Sequence, residues 1–550
     1  MKKFLTISNV IEELKYRYER EVNHGQRSAV KRILEGDASP SSMMVLCVSA
    51  VCSASESEIS SANGTRKGSI ARVQLSDGWY SIDAQLDVLL SEQLDGGKLF
   101  VGQKLRICGA GLNGWNGPVS PLEASPCVSL LLHINGTYRA HWGDRLGFCR
   151  GTCVPLAFRC IKSDGGPVPR TFVGVTRVYP VLYRERLPSG GFVVRSEKME
   201  AAVSELYNQR RSNLIEGIVS DFQKSGNDSY IADDHDNEEG ARILKMLESV
   251  AEPEFLMAEM SVEQLTSLTK YQAKLEARRQ SDMQRVIEKA LEDAGLQARE
   301  VTPFMRVRVV GLKSTGQNSG EDPKEGLIRI WNPMEKQMLQ LSEGQAYAIS
   351  GLVPLHSDFN MLHLEARGSS TKWEPLTKTQ KESFVPFFIP RKLVSLSRIG
   401  EAPLSSEFDT VGLVVHVGPE YMAGQQKKQW AFVTDGSLCH SETEVSTIAM
   451  LAISFFSPSS KNDTVSPFNC NLVGSIVGFC NLVKRPRDHV NHMWVADATE
   501  NATYYLNSDR PSCSHLKDAF ASVKRWQRSS GKMIEMLREK LLCIIGCSSG

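Results

Sequence analysis

Two stretches of this chain set aromatic rings and basic side chains at a spacing that can hold a single-stranded polyanion. Arg329 and Trp331 stand two residues apart in Gly326-Leu327-Ile328-Arg329-Ile330-Trp331-Asn332-Pro333, so on an extended strand they share one face. Lys313 and Tyr347 lie on adjacent segments. Lys427, Lys428, Trp430 and Phe432 run together into a turn at Asp435-Gly436, and Lys484, Arg485, Arg487 and Trp494 follow in a later hairpin. The chemistry open to such a set is non-covalent: rings stack on bases, while lysine and arginine track phosphates. These twelve residues are the candidate DNA-binding set. The alternative is that half of the rings are core and the charges are solvated faces. For a single ring that is the better reading; for the co-located groups both stay open.

Covalent chemistry has no comparable signal. The chain lacks a Gly-rich loop ending in Gly-Lys-Ser/Thr, a dinucleotide fingerprint after a strand, a nucleophile elbow and a zincin histidine pair. A binding role without enzymatic activity or cofactor is expected. Cys149, Cys153 and Cys160, with Cys127 and His133, invite a zinc reading, but their spacing is not a paired Cys-x-x-Cys. Buried thiols in a small barrel are the simpler expectation, so no metal is assigned.

These residues need strands to present them, and the sequence supplies strands in three places. Arg72-Val73-Gln74-Leu75, Ser76-Asp77-Gly78 and Trp79-Tyr80-Ser81-Ile82-Asp83-Ala84 read as strand, tight turn, strand, with Asp-Gly supplying the positive φ of a hairpin. Alternating strands with glycine turns recur at 326–351 and 430–479, too far apart for a solenoid, so each copy is a domain. Between 196 and 300 the period changes. Met199, Val203, Leu206, Leu214, Ile218 and Phe222 form one apolar stripe. Leu265, Leu268, Leu275, Val286, Ala290 and Leu291 form another. Helices of about 28–38 residues would reach roughly 40–55 Å, and narrow stripes with charged outer faces predict an antiparallel coiled-coil-like stalk inserted between two strands of one barrel. Near the start, Ile11, Leu14, Tyr18, Val22, Ala29, Ile33 and Leu34 have helical spacing interrupted at Gly25.

Composition bounds the rest. A chain of 550 residues implies three to five domains, and a formal net charge of +1 names no partner, so a nucleic-acid surface must be local. Thirteen cysteines, an odd number, with no signal-peptide pattern predict free thiols in a reducing compartment. No apolar run approaches the roughly 20 residues of a membrane span. An intracellular, soluble protein without a membrane partner is expected.

The order of these motifs resembles the C-terminal DNA-binding region of the breast-cancer type 2 susceptibility protein family, in its plant form. Leu14-Lys15-Tyr16-Arg17-Tyr18 and Arg27-Ser28-Ala29-Val30-Lys31-Arg32 are similar to the end of that family's helical domain. Val45-Leu46-Cys47-Val48-Ser49, Leu75-Ser76-Asp77-Gly78-Trp79-Tyr80 and Ser163-Asp164-Gly165-Gly166 are similar to its first OB fold, Ile330-Trp331 to its second, and Val411-Gly412-Leu413-Val414-Val415 more loosely to its third. Residues 251–265 resemble the distal part of the helical insertion called the tower. The resemblance implies an α+β multidomain chain: a helical-domain remnant at 1–38, a first OB fold at 43–168, a second at 169–390 interrupted by a tower at 194–302, and a third at 391–545 with a C-terminal helix.

It also implies a function. The expectation is a single-stranded DNA-binding module of a nuclear homologous-recombination mediator, which supports double-strand break repair by a RecA-like recombinase. The alternative is an OB-fold scaffold that binds only proteins. In the family a small acidic disordered partner wraps the helical domain and the first two OB folds; here Lys15, Arg17, Arg27, Lys31, Asp77 and Trp79 are the candidate contacts, with core packing equally open for Trp79. Recombinase contact is expected through regions absent from this chain, since no Phe-x-x-Ala repeat in a Thr/Ser/Gly context occurs. The helical domain is expected to be cut short. The acidic block Asp233-Asp234-His235-Asp236-Asn237-Glu238-Glu239 at the tower tip repels phosphate, so little duplex binding is expected there.

Overall fold

The computed structural model describes residues 6–25, 27–52, 71–151, 153–188, 190–224, 239–249, 254, 257, 260–312, 324–358, 361–424, 426–437, 450–458, 466–509 and 511–546. Lys313 and the acidic block 233–238 lie outside them. The chain divides into two compact units, Met1–Val181 with Pro303–Leu393, and Leu182–Thr302 with Val394–Gly550.

One strand connectivity recurs three times. In the first unit Met44–Cys52 pairs antiparallel with Arg72–Ser76 and Lys104–Ile107. Arg72–Ser76 pairs with Ser81–Leu86, which runs parallel to Ser129–Leu132. The second sheet repeats this. Thr171–Val178 pairs with Glu300–Gly311 and Ala346–Ser350, Glu300–Gly311 pairs with Lys324–Trp331, and Lys324–Trp331 runs parallel to Met361–Arg367. In the second unit Glu407–Val417, Gln426–Thr434, Leu451–Pro458, Trp494–Ala498 and Ile476–Lys484 follow in the same order, and the last pairs back with the first to close a five-stranded barrel. Alternation shapes each sheet, because every second residue points inward. Leu46, Leu75, Leu105 and Leu130 fill the first interior, Val173, Val307, Ile328 and Leu364 the second, and Val433, Ile453 and Phe479 the third.

The hairpin expected at Asp77-Gly78 forms, with Gly78 at φ +90° and Ser76 opposite Ser81. The N-terminal helical pattern splits. Ile7–Tyr18 is a helix whose apolar residues Ile7, Ile11, Leu14 and Tyr18 are exposed. Ala29–Leu34 is a separate helix that buries Val30, Ile33 and Leu34 in the first core.

Long helices occupy the stretch where the period changed. Glu197–Lys224 has 28 residues and Val262–Asp293 has 32. They run antiparallel: Tyr207 near the start of one donates its hydroxyl to Leu296 O at 2.8 Å, and Arg279 within the other reaches Phe222 O at 3.4 Å. Val286, assigned to the apolar stripe, is 44% exposed; Ile287, one residue on, is buried instead. A third helix, Glu239–Ser249, packs on Val262–Asp293 through Gly240, where a Cβ would meet Ser267 O at 2.5 Å. Among the described residues no helix is long and apolar enough to cross a membrane.

Candidate nucleic-acid interface

In the first unit the strand Glu300–Gly311 sends Met305, Val307 and Val309 inward, leaving Phe304, Arg306 and Arg308 on its outer face. Its neighbour Lys324–Trp331 buries Ile328 and Ile330 and turns Leu327, Arg329 and Trp331 outward. The register sets Arg306 directly opposite Arg329, and Arg308 opposite Arg177 on the other flank. Basic side chains gathered on one sheet face suit a polyanion. Phe304, 1% exposed, is the floor of the group. The Trp331 ring tilts against it at 5.2 Å between centroids, with the guanidinium of Arg306 5.4 Å and that of Arg329 5.7 Å from its ring. Arg329 also stands 5.6 Å from the Trp331 ring, whose Nε1 donates to Glu365 on the next strand. Arg308 is paired with Glu325 at 2.7 Å.

Tyr347 does not join this face. It is 4% exposed within the second core, where its hydroxyl donates to Gln340 O at 2.6 Å and accepts from Ser342 N at 3.1 Å. The alternation that carried Val173 and Ile349 inward carried the tyrosine with them.

In the second unit the strand Gln426–Thr434 separates Lys427 from Lys428. Lys428, Trp430 and Phe432 share the face away from the barrel interior, whereas Gln429, Ala431 and Val433 point into it. Lys428 lies 4.8 Å above the Phe456 ring, and Trp430 Nε1 donates to Tyr421 OH at 2.9 Å. Lys427 is 3.8 Å from Glu420. Phe432 is not a stacking platform, because it is 7% exposed in a cluster closed by Leu541 of the C-terminal helix.

The later hairpin is corrected more strongly. Lys484 is 5% exposed; its ammonium donates to Gly400 O at 3.1 Å and to Ala402 O. Trp494 is partly buried against the third core, with Lys484 and Arg487 5.3 and 4.9 Å from its ring. Arg487 donates to His492 O at 3.2 Å, and Arg485, 48% exposed at its side chain, pairs with Asp497 at 2.5 Å. The face that remains combines Tyr421, Lys428, Trp430 and Phe456. Phe304, Arg306, Tyr421 and Phe456 were missed in the sequence, although the alternation Phe304-Met305-Arg306-Val307-Arg308 carried a signal.

Among the proposed partner contacts, Lys15, Arg27 and Lys31 are exposed, Lys31 lying 3.8 Å from Glu35. Arg17 lies on the helix Ile7–Tyr18. Trp79 is half-buried, with the Arg20 guanidinium 5.0 Å from its ring. Asp77 is not a docking residue. It is 4% exposed and its carboxylate accepts four hydrogen bonds from this unit.

The cysteines considered for zinc do not form a ligand set. Cys127 and Cys160 are exposed, Cys149 and Cys153 half-buried, and among the described residues none of them belongs to a group of three or more metal-capable side chains.

The family profile described as BRCA2, oligonucleotide/oligosaccharide-binding, domain 1 matches residues 28–150. Protein BREAST CANCER SUSCEPTIBILITY 2 homolog B of Arabidopsis thaliana is 56% identical over 551 residues, 99% of this chain. The chain belongs to the breast cancer susceptibility 2 family. Homolog A of the same plant is 55% identical over 551 residues. The chain spans 48% of the length of each of these relatives. Among solved structures, a replication protein A heterotrimer bound to ssDNA is similar with a TM-score of 0.25 and 14% identity, over 43% of this chain and 49% of that one. Fission yeast Pot1 with ssDNA is similar with a TM-score of 0.17 and 12% identity, over 40% and 81%. The matched span takes in the helix Ala29–Leu34, which buries Val30, Ile33 and Leu34 in the first core.

Proposed function

We propose that this chain is the single-stranded DNA-binding module of a nuclear homologous-recombination mediator, with a DNA-repair role in supporting a RecA-like recombinase at double-strand breaks. Its reading as three OB folds, at 43–168, 169–390 and 391–545, follows the recurring strand order; the helices within 194–302 are its tower. The role is binding, not catalysis. The observation that carries the reading is the outer face around Trp331, where Arg306 and Arg329 oppose each other beside an aromatic pair. A polyanion's phosphates meet these guanidinium groups while its bases use the ring.

Recombinase contact is assigned to other parts of the longer family protein. The small acidic disordered partner is assigned to Lys15, Arg17, Arg27, Lys31 and Trp79. The deciding experiment is a salt titration of dT oligonucleotide binding. Affinity that falls linearly with the logarithm of salt concentration supports the DNA reading. Absence of salt-sensitive binding at any concentration leaves the protein-only scaffold.

A further inference from the structure

The hairpin formed by Val353–Ser357 and Met361–Arg367 sets His356 directly opposite His363. Their imidazoles stack 12° from parallel with centroids 4.1 Å apart. Asp358, two residues beyond His356, brings Oδ2 to 3.0 Å from His363 Nε2. One ring nitrogen from each histidine and one carboxylate oxygen all lie within 4.8 Å of one another. His356 and Asp358 are exposed, and His363 is 22% exposed at its side chain. Among the described residues these three side chains bond and stack with one another.

We propose that His356, Asp358 and His363 bind a divalent transition-metal ion of the zinc class, with water completing the shell. Two imidazoles and one carboxylate suit zinc, copper or nickel, whereas calcium and magnesium take oxygen donors. Three protein ligands with one open position match a zinc site that keeps water. With bonds of about 2.0–2.1 Å, ligand atoms on a tetrahedral ion lie about 3.4 Å apart. The exposed side chains of His356 and Asp358 reach that spacing by rotamer adjustment without moving the core. The backbone already fixes the harder part, since cross-strand register holds the two histidines side by side. The carboxylate offsets half of the ion's charge.

The site goes beyond the DNA reading and does not rest on it. His363 lies on the same outward face of its strand as Glu365, the partner of Trp331 Nε1, but metal binding is measurable without DNA.

The test uses the full chain stripped of metal, with Co²⁺ as the spectroscopic probe and Zn²⁺ as competitor. The thirteen cysteines are the competing donors, and a cobalt–thiolate site would announce itself by strong near-ultraviolet charge-transfer absorption. One equivalent of Co²⁺ is expected to give visible ligand-field bands without that absorption and to be displaced by Zn²⁺. The bands should disappear in His356→Ala and His363→Ala and weaken in Asp358→Asn. His363→Gln, which keeps a polar side chain of similar size, should lose them too, with an unchanged melting temperature in chelator. The proposal is overturned if the wild-type chain shows only thiolate-bound cobalt or none. It is equally overturned if the His356→Ala/His363→Ala double variant keeps the thiolate-free bands.

Discussion

Ser28 gives its hydroxyl hydrogen to Asp77 across 2.5 Å, joining the cap of one helix to the loop of a hairpin. The same carboxylate accepts from Val30 N at 3.1 Å, Trp79 N at 3.0 Å and Tyr80 N at 3.1 Å. Ser28 Oγ in turn accepts from Lys31 N at 3.1 Å. One buried side chain therefore holds the helix Ala29–Leu34 against the first barrel and shapes the turn that presents Trp79.

Replacing Asp77 by alanine should destabilise the first barrel by about 3 kcal/mol, because it strands buried N–H groups as well as removing charge-assisted bonds. Asp77→Asn, which retains an acceptor oxygen, should cost less. Urea denaturation measures both. A variant of wild-type stability that has lost only partner binding would return Asp77 to a docking role.

The face around Trp331 predicts losses of a different kind. Trp331→Ala should weaken dT binding by about 1–3 kcal/mol, the range for one stacked base. Arg329→Ala should weaken it while lowering the salt slope by about 0.7, the value for one single-strand phosphate contact. Tyr347→Phe is the contrast: its lost hydrogen bond should cost stability by about 1 kcal/mol and leave the DNA isotherm unchanged. Equal DNA losses in Tyr347→Phe and Trp331→Ala would show that the variants act through folding.

The period-two pattern made Arg329 and Trp331 legible, because one side of their strand is core and the other is open. It was silent where both sides are covered. Phe432 alternates correctly, but its outer face meets Leu541, some hundred positions later in sequence, and a strand covered twice carries no alternation that separates core from surface. Lys484 was misassigned for a related reason: at the head of the basic run Lys484-Arg485-Pro486-Arg487 it reads as a surface cation, and only a segment far earlier in the chain supplies the carbonyls of Gly400 and Ala402. Asp77 was read as a turn residue, which it is, but its partner Ser28 could not be paired from sequence. Strand positions and the long helices were more legible because each depends on local pattern.

Lys484 therefore belongs to stability. Lys484→Met keeps the stem and removes the ammonium, so the two carbonyls lose a charged donor; the expected cost is about 2–3 kcal/mol in the third barrel. DNA affinity measured where both proteins are fully folded should match wild type. A selective loss of oligonucleotide affinity at unchanged denaturation midpoint would reverse the assignment.

The base of the helical hairpin supplies a pH test. Glu185 accepts from Arg299 Nε at 2.6 Å and from Arg195 Nη1, and Glu200 lies 2.8 Å from Arg299 and 3.5 Å from Arg195. Arg195, Glu185 and Glu200 are all buried. Burial pushes the Glu185 carboxyl up, but the bonds from Arg299 and Arg195 outweigh it and leave the group below its ordinary value. A carboxyl depressed in the folded state contributes stability that is complete above its unfolded value, about 4.3, and fades as pH falls through the lower folded value. The strand Phe192–Ser196 and the start of Glu197–Lys224 should accordingly gain amide exchange below about pH 4, beyond the intrinsic pH dependence. Glu185→Gln should be less stable at neutral pH, since Arg195 and Arg299 then share one fewer buried countercharge, and should show a shallower acid response in this segment. Hydrogen exchange followed by mass spectrometry resolves the segment from other carboxylates of the chain. An acid-induced rise of the same size in wild type and Glu185→Gln would place the response elsewhere.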